Sequence, residues 1–172
     1  MKKTYYLMLC LLILSAAGKA QNNWITKKLD NKLTVKFPVE PETVTKNGID
    51  SYLAKGNDSV KYSTTLVDYK LIARLDSAAL APVKDAKPFA DQLRMGIVSA
   101  KTNYTFGTIT IGKWDTYTTY NLTATENTTK GTLLMRMILI GSKMYTLSCL
   151  IPANIVTQNN QVFFNSVEMA KK

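Results

Sequence analysis

The stretch that most constrains this chain is residues 131–152, where two runs of apolar and β-branched side chains flank Gly141, Ser142 and Lys143. The runs, 132–140 and 144–151, fit a pleated, buried surface and read as an antiparallel strand pair. A two-residue loop, Gly141-Ser142, sets Arg136 opposite Leu147 and Met137 opposite Thr146, which mixes both faces. A three-residue loop sets Leu133, Met135, Met137 and Leu139 opposite Ile151, Cys149, Leu147 and Tyr145, and that face becomes wholly apolar. A slip of one residue exchanges the two faces of a strand, so the three-residue loop is preferred. Cys149 then lies on the apolar face as a small hydrophobe. The other face holds Arg136 and Ser148 among Leu134, Ile138, Ile140 and Leu150. A strand pair apolar on both sides belongs in the middle of a sheet covered on both faces.

Residues 1–20 have the three parts of a secretory signal peptide: Lys2 and Lys3, an apolar run over 5–14, and Gly18 and Ala20 before Gln21. The run is shorter than the span of about 20 residues that crosses a bilayer, and Cys10 sits inside it and not after small residues at its end. The reading is an exported chain, periplasmic or secreted, whose mature part 21–172 forms a single domain with no stable membrane anchor after cleavage. A chain of that length buries roughly two-thirds of its unfolded surface. The full chain carries a formal net charge of +10 with no histidine. Without residues 1–20, nineteen basic residues face twelve acidic ones, a net +7. The excess is thinly spread lysine, with no basic block interleaved with aromatics, so a nucleic-acid partner is not expected. Cys149 is then the one remaining cysteine, which rules out an intramolecular disulfide.

Along the chain, Leu33, Val35 and Phe37 alternate with Lys32, Thr34 and Lys36, giving a strand with one basic face that ends at Pro38. Residues 48–54 and 59–69 read as a hairpin around 55–58, with Tyr52, Val60, Tyr62 and Leu66 inward. Asp76-Ser77-Ala78 can start a helical turn. From Pro88 the period becomes helical, through Phe89, Leu93, Gly96, Ile97, Ala100 and Tyr104, with Asp85 as candidate cap. Strands follow over 105–111 and 116–125, and Asn154 is a candidate cap for a last helix running to Phe164 with Ile155, Val156, Val162 and Phe163 on its apolar side.

The residues that could carry chemistry are sparse. Asp58, Asp68, Asp76, Asp85, Asp91 and Asp115 stand singly at turns and caps, whereas acid–base hydrolysis needs two carboxylates brought into different environments. A serine or cysteine nucleophile lacks an imidazole base, and there is neither a metal-ligand spacing nor a Gly-rich phosphate loop. The expectation is a chain that is not an enzyme and takes no cofactor or metal. The candidate partner-binding residues are Trp114, Tyr117 and Tyr120, aromatics at a turn, and Arg136, a charge inside an apolar strand. Arg136 either pairs with Glu126 or Glu168, reaches out of the sheet on its long stem, or meets an anionic ligand; the pairing is preferred.

Trp24, a strand ending Phe37-Pro38 with Pro41 after it, a strand pair, a long helix, the run Lys143-Met144-Tyr145-Thr146-Leu147 and the ending Phe163-Phe164-Asn165-Ser166-Val167 resemble the PsbP-like superfamily of small exported bacterial proteins. Its members often begin Phe-Pro-x-x-Pro and end Phe-Phe-x-Ser-Phe; here Val167 takes the final place. The resemblance spans nearly the whole of 21–172. It implies an α+β fold, an antiparallel sheet of about six strands flanked by helices on both faces, that serves as a binding platform, and it carries over no catalytic residue. The function expected is therefore that of a non-catalytic accessory protein of the bacterial cell envelope, contacting another envelope protein or an anionic surface. The alternative is a carrier for an apolar small molecule held between the main helix and Met135, Met137 and Met144.

Overall fold

Residues 24–46 and 48–170 are described by a computed structural model; residues 1–20, read above as a signal peptide, lie outside them. The chain begins with β1 (Ile25–Lys28) and β2 (Leu33–Phe37), an antiparallel pair. Asp30 shapes the turn between them, its Oδ1 accepting the N–H groups of Lys32 and Leu33 at 2.8 and 3.2 Å. The alternation in β2 works as expected, and Leu33, Val35 and Phe37 are fully buried. Their partner was not legible: β11 (Glu168–Met169) adds to β2, so the three strands make a small sheet of their own, in the order β1-β2-β11.

The main sheet is antiparallel and has eight strands: β3 (Glu42–Lys46), β4 (Ile49–Lys55), β5 (Lys61–Asp68), β6 (Tyr104–Phe106), β7 (Thr110–Trp114), β8 (Tyr117–Glu126), β9 (Thr132–Ile140) and β10 (Lys143–Ile151). Their order is β3-β4-β5-β10-β9-β8, with β6 and β7 both paired to β8. The expected count of about six is thus corrected to eight plus three. One reason is that the strand foreseen over 105–111 breaks at residues 107–109, where Ile109 turns into the core and the helical Arg94 donates to the carbonyls of Phe106 and Gly107.

The apolar hairpin β9–β10 occupies the centre of this sheet, as its two-sided character requires. Its register is the two-residue one: Lys143 faces Ile140, Leu147 faces Arg136 and Thr146 faces Met137. The three-residue loop preferred on the sequence is therefore incorrect. Gly141 takes φ +66° as the first of two loop residues, which is what a type II′ hairpin demands of that position and what matches the twist of the flanking strands. Turn chemistry outweighs face purity here, because both faces are apolar in either register. Cys149 consequently moves to the face of Ile138 and Ile140, opposite to Met135 and Met137, and stays fully buried.

The described residues also form four helices: α1 (Tyr69–Ala73), α2 (Ser77–Leu80), α3 (Lys87–Ala100) and α4 (Asn159–Asn165). Asp68 caps α1 and Asp76 caps α2. Helix α3 carries Pro88 in its first turn and covers one face of the sheet, where Ala90, Phe89, Leu93 and Ile97 meet Tyr120, Leu122, Leu133, Met135, Met137, Leu139 and Met144. Its N-cap is Ala86, without a side-chain bond. Asp85, the foreseen cap, instead accepts from Lys113 and Thr118, both at 2.7 Å. Tyr104 has left the helix for β6.

The second face is covered differently from expectation. The small sheet lies over it, with Leu33, Val35 and Phe37 against Ile138, Tyr145, Leu147 and Cys149, and the short α4 adds Phe163 and Phe164. Asn154 caps nothing, because α4 starts only at Asn159, and Val156 is 97% exposed.

The buried Cys149 gives a direct test of this packing. Burial pushes its thiol well above the ordinary value, and the thiolate is the reactive form. Iodoacetamide should leave Cys149 of the native protein unlabelled and modify it at a rate that tracks unfolding in added urea. Stoichiometric labelling of Cys149 in the native protein would contradict this placement.

Candidate functional site

The register fixes what each face of the main sheet offers. On the α3 side, the β8, β9 and β10 half presents Tyr120, Leu122, Met135, Met137, Leu139 and Met144 to the helix, which fills the space once considered for an apolar ligand. The β4 and β5 half of the same face continues with Ser51, Ser63 and Thr65, and a Ser51–Thr65 hydrogen bond of 2.9 Å crosses it. Where the helix ends, a cleft of about 520 Å³ opens beside Leu53, Leu133 and Leu150, with Lys55, Lys61, Lys101 and Tyr104 also lining it.

The four candidate residues separate. Tyr120 is fully buried, packs on Phe89 at 5.8 Å between ring centroids and donates its hydroxyl to the Lys84 carbonyl. Trp114 and Tyr117 pair across the β7–β8 turn, stacked at 6.1 Å and 25°, and are half-buried against the small-sheet side of the core. Asp115, in the turn between them, takes φ +53°.

Arg136 lies on that same core side, opposite Leu147 on one neighbour and Asn121 on the other. Neither Glu126 nor Glu168 reaches it, so the expected ion pair is replaced by neutral partners. Nε donates to Asn121 Oδ1 at 3.4 Å, Nη1 donates to the Phe164 carbonyl at 3.2 Å, and the guanidinium carbon lies 5.1 Å from the centre of the Phe164 ring. The bond to Phe164 satisfies a carbonyl in the last turn of α4, where helices leave acceptors unpaired and favour cations. Burial pulls the guanidinium below its ordinary pKa. A cleft of about 390 Å³ opens beside it, lined also by Asn121, Thr123, Asn160, Gln161 and Asn165.

A third feature escaped the sequence reading. Helix α1 holds Leu71 and Ile72 outward, 81% and 60% exposed, between Lys70 and Arg74. The turn is fastened at both ends: Asp68 caps it, Arg74 closes it in the left-handed region at φ 56°, and the Tyr69 N–H donates to the Ser142 carbonyl at 2.9 Å. The only sequence signal was the order Asp68-Tyr69-Lys70-Leu71-Ile72, too short to show an amphipathic period. Lys143 faces Asp68 and Leu139 faces Thr118, so α1, the Gly141-Ser142 turn and the Trp114–Tyr117 turn share one end of the sheet.

Two carboxylates tie separate elements together. Asp30 Oδ2 accepts from Lys143 Nζ and Tyr145 OH, both at 2.7 Å, and so ties the β1–β2 turn to β10. Asp58 Oδ2 accepts from Tyr62 OH at 2.9 Å, Asn159 Nδ2 at 2.8 Å and Thr157 Oγ1 at 3.2 Å, joining the β4–β5 turn to α4. Among the described residues no three of Asp, Glu and Cys gather as a metal cluster, and no helix is long and apolar enough to cross a membrane.

No protein-family model matches the sequence, and no curated protein does. Among solved structures, one of a protein from Bacteroides thetaiotaomicron matches at a TM-score of 0.47 and 12% identity; it covers 81% of this chain, which spans 46% of that protein's length. The solution structure of PsbP from the cyanobacterium Synechocystis sp. PCC 6803 matches at a TM-score of 0.60 and 11% identity, over 88% of this chain and 95% of that one. At that identity the likeness is one of architecture, and the chain has a PsbP-like α+β fold built on a large antiparallel sheet.

Proposed function

We propose that this chain is a non-catalytic binding protein of the bacterial cell envelope, and that it meets a protein partner through the α1 end of its main sheet. The observation that carries the reading is the outward pair Leu71 and Ile72, held on a turn that is anchored on both sides. Exposed apolar residues grouped on a fixed element, with cations around them, mark contact surfaces. Lys70 and Arg74 beside the pair favour a partner with an apolar depression and an acidic rim. Trp114 and Tyr117, at the same end, offer further area. The envelope setting rests on the signal-like residues 1–20.

A photo-crosslinking side chain at position 71 should join one defined envelope protein in the native host, while the same group at position 156 should not. The purified partner should then bind the wild-type chain and lose at least about tenfold in affinity for a Leu71→Asp, Ile72→Asp variant, a difference of about 1.4 kcal/mol. Thermal stability should hardly move, since exposed substitutions cost within about 0.5 kcal/mol. Undiminished binding by the variant, or crosslinks to lipid alone, would overturn the reading.

A second reading, a carrier for a small amphipathic molecule, is favoured by the 520 Å³ cleft with leucines and Tyr104 beside three lysines and two glutamates, Glu40 and Glu42. Native mass spectrometry of protein from its host distinguishes it, through a bound mass that a Leu150→Lys substitution removes.

A further inference from the structure

Strand β3 is a bare edge of the main sheet. It ends the strand order, its one strand neighbour among the described residues is β4, and every residue of Glu42–Lys46 is exposed, Val44 to 43%. Sheets guard such edges with proline, a bulge, charge or a covering element. The opposite edge is divided between β6 and β7, and Arg94 of α3 donates to the carbonyls of Phe106 and Gly107. Strand β3 holds no proline, and its register runs without a bulge from Glu42 opposite Leu53 to Lys46 opposite Ile49. Its guards are two charges of opposite sign, one at each end.

The edge has a definite phase. Lys46 and Ile49 close a two-residue loop with Gly48 at φ +73°, and the pair that closes such a loop exchanges hydrogen bonds. Bonded and non-bonded pairs alternate along an antiparallel ladder. Glu42, Val44 and Lys46 therefore direct their backbone groups to β4, while the N–H and C=O of Thr43 and Thr45 point out of the sheet.

The run Glu-Thr-Val-Thr-Lys also complements its own reverse. Turned about a two-fold axis at Val44, a second β3 sets Thr43 opposite Thr45, so that every outward group of these threonines is paired. Val44 then meets its own copy, and Glu42 faces Lys46 on both sides of it. Within one chain those charges stand about 13 Å apart along the strand, and neither enters an ion pair among the described residues. A shift of one residue mismatches the backbone groups, and a shift of two parts the charges.

We propose that β3 pairs with β3 of a second copy, antiparallel about Val44, forming a weak two-fold dimer with one continuous sheet. The surface is independent of Leu71 and Ile72, since this pairing points the two α1 ends in opposite directions.

Sedimentation of the purified chain up to about 0.5 mM should show a monomer–dimer equilibrium with Kd on the order of 0.1 mM, as suits a small interface. Glu42→Lys alone and Lys46→Glu alone each set like charges opposite and should weaken the dimer at least about tenfold. An equal mixture of the two variants, or both changes in one chain, should restore it. Melting temperatures should hardly move, because the changes are exposed, and the Leu71→Asp, Ile72→Asp chain should dimerise like wild type. Raising the protein concentration should slow hydrogen exchange at the N–H groups of Thr43 and Thr45 and leave α1 unaffected. A monomer at every concentration, single variants as dimeric as wild type, or a mixture that stays monomeric would each overturn the proposal. So would protection of those two amides that requires a different protein, which would assign the edge to a foreign strand.

Discussion

Replacing Phe163 by alanine is expected to cost about 3–5 kcal/mol, the range for removing a fully buried aromatic side chain. Phe163 is where three elements meet. Its ring lies 5.4 Å from that of Phe37 in the small sheet, 5.2 Å from Tyr62 in the main sheet and 5.7 Å from Phe164 in its own helix, measured between centroids. None of these partners can collapse into the void without moving a sheet or the helix, so little of the loss is recovered. For a chain of this size each kcal/mol lowers the melting temperature by about 2–4 °C, so thermal denaturation should show a fall of roughly 6–20 °C. Val162, one residue earlier and 45% exposed, supplies the control: its alanine variant should melt within about 2 °C of wild type. Equal effects at the two positions would contradict the placement of α4.

The second large effect is expected at Asp58. Burial works against its charge, but the side-chain amide of Asn159, the hydroxyl of Tyr62, the N–H of Val60 and the hydroxyl of Thr157 together outweigh it and hold the carboxyl below the ordinary carboxylate value. Asp58→Ala leaves those donors without their acceptor and should cost about 2–3 kcal/mol. The pH dependence follows from the direction of the shift. A carboxyl that is more acidic folded than unfolded adds stability above its unfolded pKa, about 3.9, and loses it as pH falls through the folded value. Asp30 behaves alike: burial opposes its charge, and bonds from Lys143, Tyr145 and the Lys32 N–H more than offset that. Urea unfolding should therefore show stability falling steeply below about pH 4. An Asp58→Asn variant, with nothing to titrate at that position, should show a shallower fall. An equal slope in both proteins would remove Asp58 from the account.

What the sequence revealed depended on whether a local rule or a tertiary contact decided the outcome. The central place of β9–β10 was legible, because side chains apolar on both faces leave a strand pair nowhere else to go. The same property hid its register. With both faces apolar, the purity of one face discriminates poorly, and Gly141 decided the matter through its positive φ. The alternation Leu33, Val35, Phe37 announced a strand with one buried face but not its neighbour, which is supplied by Glu168 and Met169 near the other end of the chain. Helix α3 was legible from Pro88 onward. The last helix was misplaced because Asn154 imitates a cap while Asp58, distant in sequence, fixes Thr157 and Asn159.

The candidate sites divide in the same way. Arg136 stood out because a charge within an apolar strand calls for a reason. Asn160 did not, since the sequence sets it inside the expected last helix as one more polar residue, whereas in the structure its side-chain oxygen is buried without a partner. Leu71 and Ile72 drew no reading from the sequence, and they are held outward by the cap at Asp68 and the bond to Ser142.

The small sheet also sets an order of events. Strand β2 precedes the whole main sheet in the chain, yet its partnership with β11 joins residues 134 apart, as the bond from Thr34 to the Glu168 carbonyl records. Loop closure of that length is entropically expensive unless the intervening chain has already become compact. The main sheet, whose central hairpins pair near neighbours, can form first and shorten the path. Until β11 arrives, β2 has an open edge, with Lys32, Thr34 and Lys36 on its polar face. That interval, in which a nascent chain carries an unfinished strand, is when a chaperone capable of adding a strand of its own would find a place to bind.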